Sequence, residues 1–315
     1  MAKAYGLNNI NTRLSASTEI WIQKQPQNVI FNRHPGLSLL RSKAKMQPGG
    51  ESINANLEYV IPTSVGSYSG FQVLNTTPQD FATTINYRFR HYFASVNVSG
   101  EMRRENAQNS VFDIVQGMTE NAMKGVVDLM STDVWAASQS GNALDTLPAY
   151  TATTGTVGQI SATGNTWWQS TVTASGTFAS QGLDDVRTLY NSVSNEGGER
   201  PDLGFTTQSV AEFWEKYALV KGKLDIPNTK KVDLGIDAME YKGASIVWDA
   251  DIPSGQFFFV NSDYTSLVID SGVNFKSRGF VEARDGDHAT NLILFRGNLV
   301  TTKRSSLGKL TGITA

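Results

Sequence analysis

Two aspartates one residue apart, Asp249 and Asp251 in "WDADIP", come nearest in this chain to a catalytic or metal-binding motif. Carboxylates at that spacing on a strand end can share a cation. The same residues before "IPSG" also fit a turn in which an Asp side chain bonds its own backbone, and the turn is the preferred reading. "EARDGDH", Glu282 to His288, offers calcium only two of the usual oxygen positions and reads as a surface turn. The three histidines, His34, His91 and His288, stand in separate segments without ligand spacing, so no metal is expected. Cysteine is absent, which excludes disulfides and thiolate metal sites. There is no phosphate loop, no G-x-G-x-x-G and no G-x-S-x-G elbow. No nucleophile can be matched with a base, so neither catalysis nor a cofactor is expected.

Two adjacent tryptophans, Trp167 and Trp168, stand in a run of Gly, Ser, Thr and Ala between Gly164 and Gly182. A stacking platform for carbohydrate is one use of such a pair. Glycan chemistry would need paired carboxylates, and Asp145 is the only acid between Asp133 and Asp184. In an extended chain neighbouring side chains point to opposite faces, so both rings cannot stack on one ligand. One is expected to enter the core against a long helix and the other to cover a groove or a neighbouring subunit. Arg88 and Arg90 interleave with Tyr87 and Phe89, an arrangement that packing of a hairpin explains better than nucleic-acid stacking. "RSKAK" (41–45) and "TKRSSLGK" (302–309) read as solvated basic faces.

The net charge of -2 argues against a generic nucleic-acid binder, but charge is unevenly spread. Residues 1–50 hold seven bases, among them Arg33, Arg41, Lys43 and Lys45, against Glu19 alone; residues 101–150 hold three bases against seven acids. Only 18% of residues are charged, which suits a surface covered by neighbours. The first twenty residues lack an apolar signal core and no 18-residue apolar run occurs, so synthesis in the cytosol without a membrane span is expected. The sequons at Asn75 and Asn97 are then coincidental.

These residues need elements to position them. Residues 1 to about 50 read as an arm of short apolar clusters broken by Pro and Asn, closed by a turn at "MQPGGESI". Residues 53–99 read as a long hairpin: Tyr87, Phe89, His91 and Phe93 share one face, and Tyr92, Ala94, Val96 and Val98 the other. Asn106 to Ser138 carries the strongest helical period, through Val111, Val115, Met118, Ala122, Val126, Leu129 and Val134. About 30 residues at 1.5 Å each make a rod of roughly 45 Å. A second helix uses Leu183, Val186, Leu189, Tyr190 and Val193, ending at Gly197 and Gly198. "RPDLGFTT" reads as a short strand before a helix capped by Ser209 with Glu212, or by Thr206 or Thr207. Residues 239–270 read as strands, and a last strand precedes the tail. The class is α+β with a mixed central sheet.

The order of "YRFRHYFASVNVSGEMRREN", "GGERPDL" and "YKGASIVWDADIP" along nearly the whole chain resembles the major capsid protein of tailed bacteriophages. The resemblance implies an HK97-like fold: an N-terminal arm (1–50), an extended loop (51–100), a peripheral domain with a spine helix (101–202), an axial domain (203–280) and a return to the peripheral domain (281–315). It implies an icosahedral shell of hexamers and pentamers enclosing double-stranded DNA. The partners would be further copies of the chain, a separate scaffolding protein, a portal, a decoration protein and, non-specifically, the packaged DNA, with no membrane. The virion would be its location, and the host cytoplasm its place of assembly. Contacts between subunits would then fall to Tyr68, Phe71, Arg88, Arg90, Trp167 and Trp168, and the inner surface to Arg33, Arg41, Lys43 and Lys45. An encapsulin compartment, which shares the fold, is the alternative, and a carbohydrate-binding protein using the tryptophan pair a second.

Overall fold

Three phenylalanines and a valine in a row, Phe257 to Val260, are all buried, so both faces of this strand need apolar cover. The computed structural model describes residues 34–101, 114–194, 199–220, 239–284 and 286–315. In chain order these form α1 (Pro35–Ser42), β1 (Lys45–Gln47), β2 (Ser52–Glu58), β3 (Ala82–Arg88), β4 (Arg90–Ser99) and the long helix α2 (Ile114–Trp135). A short α3 (Leu147–Tyr150), β5 (Thr156–Val157), β6 (Ile160–Ser161), β7 (Thr171–Ala174) and α4 (Leu183–Val193) follow. Then come β8 (Leu203–Thr206), α5 (Gln208–Val220), β9 (Met239–Tyr241), β10 (Ala244–Trp248) and β11 (Phe257–Val260). The chain closes with β12 (Thr265–Asp270), β13 (Lys276–Glu282), β14 (His288–Thr301) and β15 (Gly308–Thr311).

β11 lies inside a six-stranded mixed sheet of order β7-β15-β11-β8-β10-β9. Phe257 and Phe259 face α4 and α5, packing with Val186, Leu189, Tyr190 and Trp214. Phe258 points the other way and meets Trp135 at the end of α2, which also packs edge-on against Phe205, at 5.8 and 5.2 Å between ring centres. The second sheet is organised around β14. β4 pairs along one edge, from His288↔Ser99 to Gly297↔Arg90. β12 and then β13 occupy the other edge, and β1 joins β12 in parallel. α2 lies on this sheet, with Met118, Ala122 and Met123 against Val96, Val98 and Ile293.

The structure departs from the sequence reading in instructive places. Residues 34–47 are built into the body: α1 buries Leu37, Leu39 and Leu40, and β1 extends a sheet. Eight residues are too few to display a helical period, which is why this segment read as arm. The long helix ends at Trp135, not Ser138, and the beginning of that reading, Asn106 to Asp113, lies outside the described residues. Its buried stripe is Val126, Met130 and Val134, whereas Leu129 is exposed. α4 buries the stripe expected of it, but Gly197 and Gly198 lie outside the described residues.

The hairpin is shorter than expected because its second strand is two strands. Ile85, Tyr87 and Phe89 are buried, and then burial moves to Tyr92, Val96 and Val98, leaving His91 and Phe93 exposed. Phe89, between β3 and β4, shifts the pleat by one residue, so the chain leaves the β2–β3 ribbon and enters the β14 sheet on the opposite parity. α5 uses no capping box: Gln208 opens it, and the buried Thr207 hydroxyl in the cap position is unbonded.

One turn carries a charge that pH can test. Asp270 accepts from the Gly272 N–H at 2.8 Å and from Arg296 Nη1 at 2.8 Å, and Arg296 Nη2 also donates to the Gly50 carbonyl at 2.5 Å. The Gly272 N–H, then the guanidinium, hold the Asp270 carboxyl below its ordinary range. Its stabilisation is present above the unfolded-chain value and is lost as pH falls through the lower folded value. Asp270→Asn is therefore expected to lower stability at pH 7 and to flatten the loss of stability between about pH 5 and 3, read by urea unfolding across that range. A second expectation concerns Gly36, where a Cβ would lie 2.8 Å from the Trp135 ring and 2.9 Å from Asp249 Oδ2. Gly36→Ala should cost about 1–3 kcal/mol by overpacking, measured in the same way.

Candidate functional site

The loop that joins β2 to β3, residues 59–81, carries Ile61, Val65, Tyr68, Phe71, Val73, Leu74 and Phe81, all exposed. Phe71 touches so little of the chain that its whole side chain is open to solvent. Isolated apolar residues on a surface need no explanation, but this many on one excursion mark a surface made for contact. Hydrogen bonds across the base hold it together: Tyr59 N–H donates to Phe81 O at 3.0 Å, and Thr63 N–H to Gln79 Oε1 at 2.8 Å. The ribbon beneath it is in strict antiparallel register from Ser52↔Arg88 to Glu58↔Ala82.

The root of this excursion is fixed by buried polar groups. Asp145 is the hub. It pairs with Arg90 Nη2 and accepts from Asn298 Nδ2, each at 3.1 Å, and the Tyr150 hydroxyl, whose proton goes to the nearer Leu299 carbonyl, lies 3.1 Å away. Asn298 Nδ2 also donates to the Arg88 carbonyl at 2.9 Å, and its Oδ1 accepts from Asp145 N–H at 3.0 Å. Tyr87 and Tyr150 donate to the Thr301 and Leu299 carbonyls of β14 at 2.8 and 2.6 Å. Burial pushes both phenols well above their usual range, so they stay neutral donors. Arg304, fully buried, donates to the carbonyls of Ala149, Tyr150 and Ala152 around the end of α3. A cation at a helix C-terminus also opposes the helix dipole.

Further along the same face of the ribbon, Trp167 stacks on Tyr59 at 4.9 Å with the planes 20° apart. Trp168 is buried and donates its indole N–H to the Val157 carbonyl at 3.1 Å. The pair lies in a 3-10 turn, Thr166–Trp168, rather than an extended chain, and the two rings tilt by 54°. The geometry removes the carbohydrate platform: one ring is inside the protein and the other braces the loop. Gly158, at φ +58°, lets the β5–β6 turn approach this ribbon, because a Cβ there would lie 3.1–3.2 Å from Ile85 and Tyr87.

The other expected contact residues separate into two groups. Tyr68, Phe71 and Arg88 are exposed, as are Lys43 and Lys45, although Lys45 Nζ donates to the Asp263 carbonyl at 3.0 Å. Arg90 turns inward to Asp145, and Arg41 is half-buried over the Phe275 ring at 5.1 Å. Arg33 lies outside the described residues. "TKRSSLGK" is not a solvated face: Arg304 is in the core, Lys303 pairs with Glu199 at 2.7 Å, and Lys309 is partly buried. Asp145, Tyr150, Asn298 and Tyr59 were not anticipated as parts of the site. The solitary Asp145 in an otherwise acid-free stretch was the one available signal, since a lone, largely covered acid must find a basic partner.

A cleft of about 260 Å³ opens beneath the loop root, lined by Arg88, Arg90, Asp145, Tyr150 and Gln159 among others, with no His, Cys or Ser in its wall. Elsewhere His34, Asp249 and Asp251 converge, each placing a ligand-type atom within 4.8 Å of the others. The Asx turn expected at Asp249 is present, with Asp251 N–H donating to Asp249 Oδ1 at 3.1 Å. Burial raises the Asp249 carboxyl above its ordinary range.

No helix among the described residues is long and apolar enough to cross a membrane. No protein-family model matches the chain, and no curated protein matches it by sequence. Solved structures do. The capsid of cyanophage A-1(L) is 16% identical with a TM-score of 0.66, covering 90% of this chain and 93% of its own. The capsid of a native gene transfer agent particle is 13% identical with a TM-score of 0.64, covering 87% and 90%. The SrpI encapsulin of Synechococcus elongatus PCC 7942 is 12% identical with a TM-score of 0.57, covering 87% of each chain. These likenesses establish the fold, an α+β architecture of the HK97-like kind. Asp145→Ala should cost about 2–4 kcal/mol in urea unfolding, because it strands the Arg90 guanidinium and an Asn298 amide N–H and removes the acceptor beside Tyr150. A loss below about 1 kcal/mol, the range of an exposed pair, would show that the hub does not hold the root.

Proposed function

We propose that this chain is the coat subunit of a tailed bacteriophage, assembling with copies of itself into the icosahedral head shell that encloses double-stranded DNA. The observation that carries the reading is the rigidly rooted, apolar excursion of residues 59–81 on a fold that shell proteins share. A monomer gains nothing from holding Phe71 and Val73 in water. Laid over an adjacent subunit, the same residues gain about 25 cal/mol for each Å² of apolar surface removed. Repetition of such a heterologous contact around closed rings builds a shell.

In this reading the extended loop comprises residues 51–100, the peripheral domain 101–202 with the return 281–315, and the axial domain 203–280. The arm of residues 1–50 is shortened at its C-terminal end, since α1 and β1 belong to the body. Tyr68, Phe71 and Arg88 meet neighbouring subunits. Trp167 acts through Tyr59, supporting the loop from below. Lys43 and Lys45 are the bases available to scaffold or to packaged DNA, a contact that would be sequence-independent and sensitive to salt. A portal, a scaffolding protein and a decoration protein complete the expected partners.

An encapsulin compartment is the second reading, supported by the likeness to SrpI. Native particles separate the two: nucleic-acid absorbance inside them supports the phage shell, and protein cargo without nucleic acid supports the compartment. A chain that stays a stable monomer, even when co-expressed with products of neighbouring genes, would overturn both. Replacing Tyr68 and Phe71 together by Ser should cut particle yield at least tenfold in sedimentation and negative-stain microscopy. Subunit stability should change by no more than about 0.5 kcal/mol, because Phe71 is fully open to solvent and Tyr68 mostly so.

A further inference from the structure

His34 raises a question of protons. Its Nε2 lies 2.6 Å from Asp128 Oδ1, and its Nδ1 lies 2.9 Å from Asp251 Oδ2. A neutral imidazole has one N–H and one lone pair, so it can donate to only one of two carboxylates. Nε2 is hydrogen-bonded to Asp128, whereas Nδ1 faces Asp251 without the alignment of a hydrogen bond. The ring is buried, with 6% of the side chain exposed. A buried lone pair aimed at an anion is repulsive, and only a second proton or a shared cation relieves it.

The surroundings favour the cation. Asp249 is fully buried, and among the described residues its oxygens accept only backbone N–H groups, from Gly36 at 2.9 Å and Asp251 at 3.1 Å. Among the described residues no lysine or arginine pairs with Asp249 or Asp251. Asp251 Oδ2 is held in place by the Ser131 hydroxyl at 2.5 Å. Around a first-row divalent ion with bonds of about 2.1 Å, adjacent ligand atoms sit about 3 Å apart, close to the observed separation of Nδ1 and Asp251 Oδ2. A metal-bound histidine usually gives its other N–H to a carboxylate, the position Asp128 occupies.

We propose that His34 Nδ1, Asp249 and Asp251 bind one divalent first-row transition cation, of the zinc or manganese type, with Asp128 orienting the ring from behind. One imidazole nitrogen beside two carboxylates suits such ions better than calcium, which takes oxygen ligands. Asp251 is partly exposed and gives the ion its way in. The cation would join two segments at one point, the chain entering α1 and the turn after β10, and α2 would be tied in through Asp128 behind the ring. This inference stands whether or not the chain builds a shell.

The test uses the full chain, stripped with EDTA and titrated calorimetrically with ZnCl2, MnCl2 and CaCl2. Binding of one zinc or manganese per chain is expected, at least tenfold tighter than calcium, with thermal unfolding raised by about 5 °C or more at a hundredfold excess over Kd. Cobalt should give the visible absorption of a mixed nitrogen and oxygen site in the unaltered chain, a readout that needs no variant to fold. Asp251→Asn should weaken zinc binding at least a hundredfold and Asp128→Asn about 10–100-fold, whereas His91→Ala should leave it unchanged. The proposal is overturned by the absence of saturable binding at one ion per chain or of the cobalt band. Equal affinity for calcium, or undiminished binding after Asp251→Asn or His34→Gln, overturns it as well.

Discussion

Strand β14 is the constraint on which the rest of the molecule depends. It is paired along both edges, with β4 on one side and with β12 and then β13 on the other. Because β4 continues from β3 after a single residue, the direction of β14 sets the direction in which the β2–β3 ribbon leaves the body. The buried phenols of Tyr87 and Tyr150 then bond to carbonyls of β14 itself, so the same strand that builds the sheet also locks the ribbon. A shift of one residue in this pairing would turn every side chain of β4 to the wrong face.

Buried polar groups do much of the fastening between elements, which fits a chain with few charges. Arg304 replaces the missing continuation of α3 by donating to its last carbonyls, and Asn298 closes a ring of hydrogen bonds with Asp145. Such groups are costly to bury alone and specific when paired, because the penalty for any other arrangement is a stranded donor or charge. The fold is shared with solved structures only 10–16% identical to this chain, so it survives replacement of most side chains, as folds that conserve core volume and pattern can.

The sequence disclosed what depends on local periodicity. α4 was legible from its stripe, α5 from a start signal whose capping box the structure does not use, and β8, β10 and β11 from short apolar runs between turn residues. What stayed hidden depends on long-range pairing. The parity change at Phe89 cannot be read from an alternation that continues unbroken on both sides of it, because either face satisfies the pattern locally. The hub at Asp145 joins residues more than fifty positions apart on either side, and the burial of Arg304 inside "TKRSSLGK" runs against the ordinary behaviour of arginine. His34 meets Asp128, Asp249 and Asp251 only because α1 is folded into the body, which eight residues give no means to anticipate.

The apolar excursion also bears on solubility. An exposed apolar loop is a surface that any unfolded or half-folded chain could coat, and extended apolar segments are templates for strand addition. Pro62 and Pro78 near the two ends of residues 59–81, with Gly66 and Gly70 between them, keep that segment out of regular strand. A proline lacks the N–H that a growing ladder needs, and glycine weakens a strand from within. The loop thus offers side chains while withholding its backbone. Contact with it is selected by the shape of the receiving surface, and the indiscriminate pairing that makes aggregates is denied its first rung.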